Sequence, residues 1–157
     1  MSYFWRLFLW SVFFLTLFSC KRDYEYDENA SIIGSWKPIK ATAYKTVAGF
    51  TVSQSEDMNA CQQQSKMTYH SDGTAIEMRF DDATGNCEKT LERNFTYTFN
   101  SSQKSLVHTF QDGSIKNAEV VSITSQKLIV KGKKEINGEM YDVEVTNIKI
   151  NQKINKK

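Results

Sequence analysis

Few side chains in this sequence stand at the spacing that catalysis or metal binding requires. The two histidines, His70 and His108, form no metal-spaced pair, and neither has a local partner. No glycine-rich phosphate loop and no Gly-x-Ser-x-Gly nucleophile motif occurs. The acidic residues Asp81 and Asp82 are followed by Ala83, where a calcium loop would need an oxygen ligand. The sequence therefore predicts no enzyme activity, no cofactor and no metal site.

The first of three cysteines, Cys20, ends an apolar N-terminal segment. The apolar run over residues 7–18 is shorter than the roughly 20 residues that span a membrane, and it has the length typical of a signal peptide. Residues 17–20, Leu-Phe-Ser-Cys, resemble a lipobox, the bacterial sequence at which a cysteine is lipid-modified and becomes the mature N-terminus. This predicts a signal peptide over residues 1–19. An ordinary secretory peptide and an uncleaved anchor are the alternatives.

Residues 20–30 are predicted to be the lipidated cysteine and a polar tether. Two or more acyl chains on Cys20, palmitate among them, would make membrane attachment stable. The predicted location is therefore the cell envelope, with the chain anchored by lipid at the periplasmic or cell-surface face of the outer membrane. The acidic character of this segment resembles surface-export signals of Bacteroidetes-type lipoproteins, and a simple spacer is the alternative.

An anchor at Cys20 leaves Cys61 and Cys87 as a pair. In an oxidising periplasm or at the cell surface, two such cysteines are expected to form a disulfide bond. The turn at Asp72 and Gly73 lies midway between them, so a hairpin folded there would bring them together. Two free buried thiols are the alternative.

Charge and length narrow the class of protein. The chain has 20 basic and 18 acidic residues, which gives no basic face of the kind that binds nucleic acid. Removal of residues 1–19 leaves 138 residues (157 − 19), enough for one domain. The predicted partner is a membrane, and protein partners are unknown.

Alternating apolar residues predict strands throughout the mature chain. Phe95, Tyr97 and Phe99 alternate with threonines, and Ile76 and Met78 form a similar predicted apolar face. Asp-Gly and Asn-Gly turns separate the runs. The eight predicted strands cover residues 33–46, 65–70, 74–81, 91–100, 105–111, 114–124, 127–134 and 139–150. A short helical turn is expected around residues 55–61, and a bulge at Asn147, where the apolar face switches.

An eight-stranded meander has two exposed edges unless it closes into a barrel. The fold class is therefore predicted as all-β, an eight-stranded antiparallel up-and-down barrel. Gly34 and Trp36, at the start of the first strand, resemble the Gly-x-Trp signature of lipocalins. With the lipobox and the cysteine pair, the chain resembles the lipocalin-like lipoproteins of Bacteroidetes-type bacteria. The family's arginine near the last strand, which packs across the tryptophan, has only lysines as candidates here.

The resemblance implies a lipocalin-like barrel domain over residues 31–157, with Gly34 and Trp36 as its barrel-floor motif. It also implies a small lipophilic ligand, held inside. The alternative is a non-catalytic structural or interaction protein of the envelope, whose barrel is filled by side chains. The candidate pocket-lining residues are those of the inward aromatic rows: Tyr97, Phe99, His108, Phe110 and Tyr141. The alternative for His108 is a core or rim histidine whose ring nitrogens are hydrogen-bonded within the protein. His70 is expected to be solvated.

Overall fold

The computed structural model describes residues 24–150, and its strands form a single antiparallel sheet. The nine strands are β1 (Gly34–Val47), β2 (Phe50–Asp57), β3 (Lys66–Tyr69), β4 (Thr74–Asp81), β5 (Glu88–Asn100), β6 (Ser105–Phe110), β7 (Ile115–Ile123), β8 (Lys127–Ile136) and β9 (Glu139–Lys149). The only helical element within residues 24–150 is a 3-10 turn over Gln62–Gln64.

The sheet closes because β1 forms hydrogen bonds along both edges. One edge pairs with β9, and the other pairs with β3 near its start and with β2 further along. Both β2 and β3 run antiparallel to β1, so they share one position in the barrel. Nine strands thus fill eight positions. The predicted eight-stranded antiparallel up-and-down barrel is confirmed, while the predicted signal peptide lies outside the described residues.

The prediction missed β2 and misplaced the helical turn. Residues 55–57 belong to β2, and the 3-10 turn lies further on, at Gln62–Gln64. All residues of β2 are exposed on both faces, because this strand extends past the barrel wall with β1 as its neighbour. A strand that buries neither face has no reason to alternate apolar and polar residues, so the period-two signal was missing.

The predicted bulge at Asn147 is also wrong. The register of β9 against β8 is continuous through this residue, and the irregularity lies in β1, between Pro38 and Lys40. Asn147 keeps its place on the inner face opposite Leu128. Its side-chain amide donates hydrogen bonds to the carbonyl oxygens of Leu128 and Val145, so a polar residue is satisfied there.

The two ends of the barrel differ. The closed end carries the start of β1 and the turns after β3, β5 and β7. It is filled by side chains with almost no exposure: Ile32, Trp36, Leu106, Val120, Ile123 and Leu128. The open end carries the turns after β1, β6 and β8 and the loop between β4 and β5.

Part of the predicted tether lies against the closed end. Tyr26 forms a parallel bridge with Ile123, at the end of β7, and its hydroxyl donates a hydrogen bond to the carbonyl of Ser101. Two residues earlier in the sequence, the hydroxyl of Tyr24 donates a hydrogen bond to the carboxylate of Glu144 on the outer face of β9. Within residues 24–150, no helix is long and apolar enough to cross a membrane.

Candidate functional site

The floor of the barrel is built around Trp36. Its side chain is completely buried, and its Nε1 donates a hydrogen bond of 2.7 Å to the carbonyl oxygen of Ile32. Lys149 faces it from β9, and its Nζ lies 4.9 Å from the ring centroid. Gly34 has φ = +127°, and a Cβ placed there would come within 2.8 Å of the Lys149 side chain. The backbone angle favours glycine at this position, and a side chain there would also have to displace the flexible end of Lys149.

Above the floor, one wall of the barrel is aromatic. The cross-strand row that joins Tyr69, Ala75, Phe95 and Phe110 runs over β3 to β6. The Phe95 and Phe110 rings are 5.2 Å apart, within the range of favourable aromatic contacts. His108 lies beside Phe95, with its ring 4.7 Å away, and its Nε2 is 3.1 Å from the Tyr69 hydroxyl.

The inner face of β4 and β5 is charged. Glu77 is buried, and each of its carboxylate oxygens binds an arginine: Arg79 Nε lies 2.6 Å from Oε1, and Arg93 Nη2 lies 2.6 Å from Oε2. The Arg93 guanidinium also lies 4.0 Å above the centroid of the Phe110 ring. The predicted apolar face of Ile76 and Met78 is therefore on the outside, because Ala75, Glu77 and Arg79 point inward. The buried carboxylate is tolerated since both its oxygens are ion-paired.

His108 is neutral at physiological pH in this environment. Burial lowers its pKa from the usual 6.5 to about 4. Glu77 opposes this effect, and the positive charges of Arg93 and Lys116 add to it. The ring therefore serves as an uncharged hydrogen-bonding partner of Tyr69.

The wall opposite the charged cluster is lined by small residues. Register places Ala118, Gly132, Val143 and Ala43 in one inward-facing row across β7, β8, β9 and β1. All four are partly exposed although they point into the barrel. A Cβ added to Gly132 would meet no atom within 4 Å. The space next to Gly132 on this wall is therefore open.

The candidate pocket-lining residues do not all come together. Tyr97, His108 and Phe110 belong to the aromatic wall, and the Tyr97 ring lies 4.8 Å from that of Tyr69. Phe99 packs, partly buried, against the core. Tyr141 is on the far side of the barrel, with the Lys45 ammonium 5.5 Å from its ring.

The charged cluster of Glu77, Arg79, Arg93 and Lys116 was not predicted from the sequence. A signal for it existed, since Glu77 and Arg79 share one face of a strand, but the alternating apolar residues were assigned to the interior.

The remaining predicted sites have separate positions. The disulfide between Cys61 and Cys87 is confirmed, with Cα atoms 5.4 Å apart. It joins the segment between β2 and β3 to the loop between β4 and β5, on the rim of the barrel. Cys20 lies outside the described residues, and His70 is exposed. In the described part of the chain, no group of three or more histidine, cysteine or acidic residues could hold a metal ion.

Solved structures of several lipocalins are similar to this chain. The bovine lipocalin allergen Bos d 2 is 15% identical, with 76% of this chain and 73% of that chain covered and a TM-score of 0.45. Aphrodisin, a sex pheromone from female hamster, is 13% identical over 77% of this chain and 76% of that one, with a TM-score of 0.43. Bovine odorant binding protein, solved with a selenium-containing odorant, is 11% identical over 77% and 74%, with a TM-score of 0.44. No curated protein sequence matches the chain.

The family model for the lipocalin-like domain matches residues 32–130, which is more than half of the 157-residue chain. The matched region begins just before the Gly-x-Trp motif and extends into β8. It includes the disulfide, the charged cluster and the aromatic wall. This chain belongs to the lipocalin-like domain family.

Proposed function

We propose that this protein is a lipid-anchored carrier of the bacterial cell envelope that holds one small lipophilic molecule in the open half of its barrel. The observation that carries this proposal is the open space next to Gly132, which lies on the inward-facing wall of small residues. An eight-stranded barrel is just wide enough to hold one small ligand. Tyr97 and Val143, which are both partly exposed, would supply apolar surface, and the partly exposed His108 would supply a polar contact. A carrier of this kind needs no catalytic group.

A co-purifying ligand would test the proposal directly. Native mass spectrometry of the protein, purified without delipidation, should show a mass above that of the chain, which disappears after extraction with an organic solvent. The extracted protein should then bind a fluorescent fatty-acyl probe at one site per chain.

A matched pair of variants would locate the ligand. Gly132→Leu fills the free space in the lumen, whereas Lys133→Leu places the same side chain on the outer face one residue later. We expect Gly132→Leu to abolish probe binding without loss of stability, since the added atoms meet open space. Lys133→Leu should bind the probe like the wild type. Equal binding by both variants would contradict a site in the lumen.

The anchor is a separate part of the proposal. It is supported by the lipobox-like residues that end at Cys20, four positions before the first described residue. Cys20→Ser should move the protein from the membrane fraction to the soluble fraction, and metabolic labelling with palmitate should mark only the wild type. A wild type that takes up no label would contradict the anchor but not the carrier.

A structural or interaction protein of the envelope is the second candidate. It is favoured by the closed half of the barrel, where Leu106, Val120 and Leu128 leave no exposed surface. This candidate predicts no co-purifying mass and no probe binding by the wild type.

A further inference from the structure

Exposed apolar side chains are distributed unevenly between the two ends of the barrel. Among residues 24–150, seven large aliphatic or phenyl side chains are exposed, and five of them lie at the open end: Val47, Phe50, Val52, Ile115 and Met140. Phe50 is the most exposed of the seven, at 77%. The two at the closed end, Ile33 and Ile150, are exposed by 43% and 36%. Single apolar residues are common on protein surfaces, but a set gathered at one end indicates an interaction site.

These five residues belong to three hairpins that follow one another around the rim. Val47, Phe50 and Val52 lie near the turn of the β1–β2 hairpin, Ile115 starts β7 in the β6–β7 hairpin, and Met140 lies in the β8–β9 hairpin. The pairing of β1 with β9 and of β7 with β8 makes the hairpins neighbours. The fourth connection at this end, residues 82–87, contains no large apolar residue apart from the disulfide-bonded Cys87. The three hairpin ends, called the apolar tips below, thus occupy one side of the rim.

Tight turns make two of the apolar tips narrow. Only Ala48 and Gly49 connect the last residue pair of the β1–β2 hairpin, and only Asn137 and Gly138 connect that of the β8–β9 hairpin. All four have positive φ, as a type I′ turn requires. Separate narrow projections differ from the continuous surface of about 800 Å² that a stable protein interface buries on each partner. A fluid lipid layer can admit each projection separately.

Charge near the β1–β2 and β8–β9 tips is nearly balanced. Residues 45–52 and 131–142 contain four lysines and three acidic residues, a sum of +1 (4 − 3). Lys133 and Lys134 are exposed on β8, and long lysine side chains keep their ammonium groups in the polar layer while apolar neighbours lie deeper. Attraction to a bilayer would therefore come mainly from the burial of apolar side chains, and it should not require anionic lipid.

The first described residue lies on the same side of the barrel. Tyr24, whose hydroxyl donates to Glu144, lines a hollow on the outer face together with Thr46 and Met140 of the two hairpins. Cys20 is four residues earlier, and four residues span at most about 14 Å. Acyl chains on Cys20 would therefore be within reach of a bilayer that contacts these tips.

We infer that the open end of the barrel faces a phospholipid bilayer, with the apolar tips inserted into its interfacial layer. The inference goes beyond the proposed carrier function, because it assigns an interaction surface and an orientation at the membrane. It rests on the proposed lipid anchor only for the position of the bilayer near Tyr24. The exposure of the apolar tips does not depend on the anchor.

Tryptophan reporters test the orientation. The protein, purified from membranes with its own anchor, is reconstituted in phosphatidylcholine vesicles whose acyl chains are brominated, since bromine quenches an indole that reaches the acyl chains. Phe50→Trp and Ile33→Trp each add one indole at an exposed position, at opposite ends of the barrel. The wild type gives the background of the native tryptophans. We expect the added fluorescence of Phe50→Trp to be largely lost and that of Ile33→Trp to be unchanged.

A second set of variants tests whether Phe50 itself holds the rim at the bilayer. Met140→Trp should be quenched like Phe50→Trp. Adding Phe50→Asp to it should relieve the quenching, because a charged side chain does not enter the acyl layer. Adding Ile33→Asp, the same change at the closed end, should leave the quenching as it was. Circular dichroism of each variant would verify that it is folded.

The possible failures can be distinguished. Equal quenching at positions 33 and 50, or quenching at position 33 alone, would overturn the orientation and leave the anchor standing. Loss of Phe50→Trp exposure on dimerisation without lipid would assign the apolar tips to an interface between two copies and overturn the inference. Quenching of Phe50→Trp in a chain that takes up no palmitate would contradict the anchor alone. A chain that stays off the vesicles would contradict both.

Discussion

The ammonium nitrogen of Lys149 lies 4.9 Å from the centroid of the Trp36 ring, at the floor of the barrel. This is the place that the lipocalin resemblance gives to an arginine, so a lysine supplies the positive charge in this chain. A lysine side chain packs its methylene groups against a neighbour while its charged end meets an aromatic face. Trp36 is thus held by the Ile32 carbonyl in its plane and by a cation on its face.

Removal of the Lys149 charge should lower the free energy of unfolding moderately. Lys149→Met keeps the length of the side chain but loses the cation–π contact, so we expect the free energy of unfolding to fall by about 0.5–2 kcal/mol in urea titrations. Lys37→Met, on the outer face of β1, is the control and should change stability by less than about 0.5 kcal/mol. Equal effects for the two variants would show that the Trp36 contact contributes nothing.

Loss of the tryptophan itself should be far more damaging. Trp36→Ala removes a fully buried aromatic side chain from the closed end, and such truncations cost about 3–5 kcal/mol. That is a large share of the 5–15 kcal/mol typical of a whole domain. The measurement is the urea midpoint by circular dichroism, because the variant lacks the only tryptophan of the predicted mature chain. A urea midpoint equal to that of the wild type would contradict the role of Trp36 as the core of the barrel floor.

A side chain at position 34 should destabilise the fold. Gly34→Ala forces an L-residue into φ = +127° and places its Cβ 2.8 Å from the Lys149 side chain, so we expect a loss of about 1–3 kcal/mol. Combining it with Lys149→Ala should recover only the part due to crowding. Full recovery in the double variant would show that the backbone angle carries no cost.

The disulfide should stabilise the barrel without defining it. The cysteines are 26 positions apart. Closure of a loop of this size lowers the conformational entropy of the unfolded chain and so stabilises the fold by about 3.5 kcal/mol. The Cys61→Ser, Cys87→Ser double variant should therefore melt at a lower temperature and keep its β-sheet circular dichroism. Two reactive thiols in the unfolded, unreduced wild type would rule out the bond.

Stability should fall in weak acid because of His108. The folded pKa is about 4 and the unfolded value is near 6.5, so between these values the unfolded chain binds the proton and the folded chain does not. From about pH 8 to about pH 5, this difference should remove about 2 kcal/mol of stability. His108→Gln, which can still hydrogen-bond to Tyr69, should lose less stability over the same pH range than the wild type.

The strands of the barrel were predicted correctly wherever one face of a strand is buried and the other is exposed to solvent. Phe95, Tyr97 and Phe99 alternate with exposed threonines, and the inward residues of β6 alternate with Val107 and Thr109. The strands and their inner faces were therefore assigned correctly. The same logic failed on β2, which buries neither face. It failed on β4 for the opposite reason, because the inner face there is charged and the outer face is apolar.

The charged cluster could not be predicted because its members come from different strands. Glu77 and Arg93 are cross-strand neighbours, a relationship set by the register of β4 and β5. Lys116 joins them only through Phe110, which belongs to a third strand. Local spacing shows the charge of each residue but not that three strands bring these charges to one end of the lumen.

Closure of the barrel by β1 has a consequence for the order in which the chain folds. Most neighbouring strands are consecutive in sequence, so hairpins can form soon after synthesis. The pairing of Trp36 with Lys149 instead joins residues 113 positions apart (149 − 36). Contacts between such distant residues slow folding, because a long loop must be ordered before they form. The first strand therefore completes its hydrogen bonds only when the last strand is present, and until then its unpaired edge is open to chaperones and to other chains.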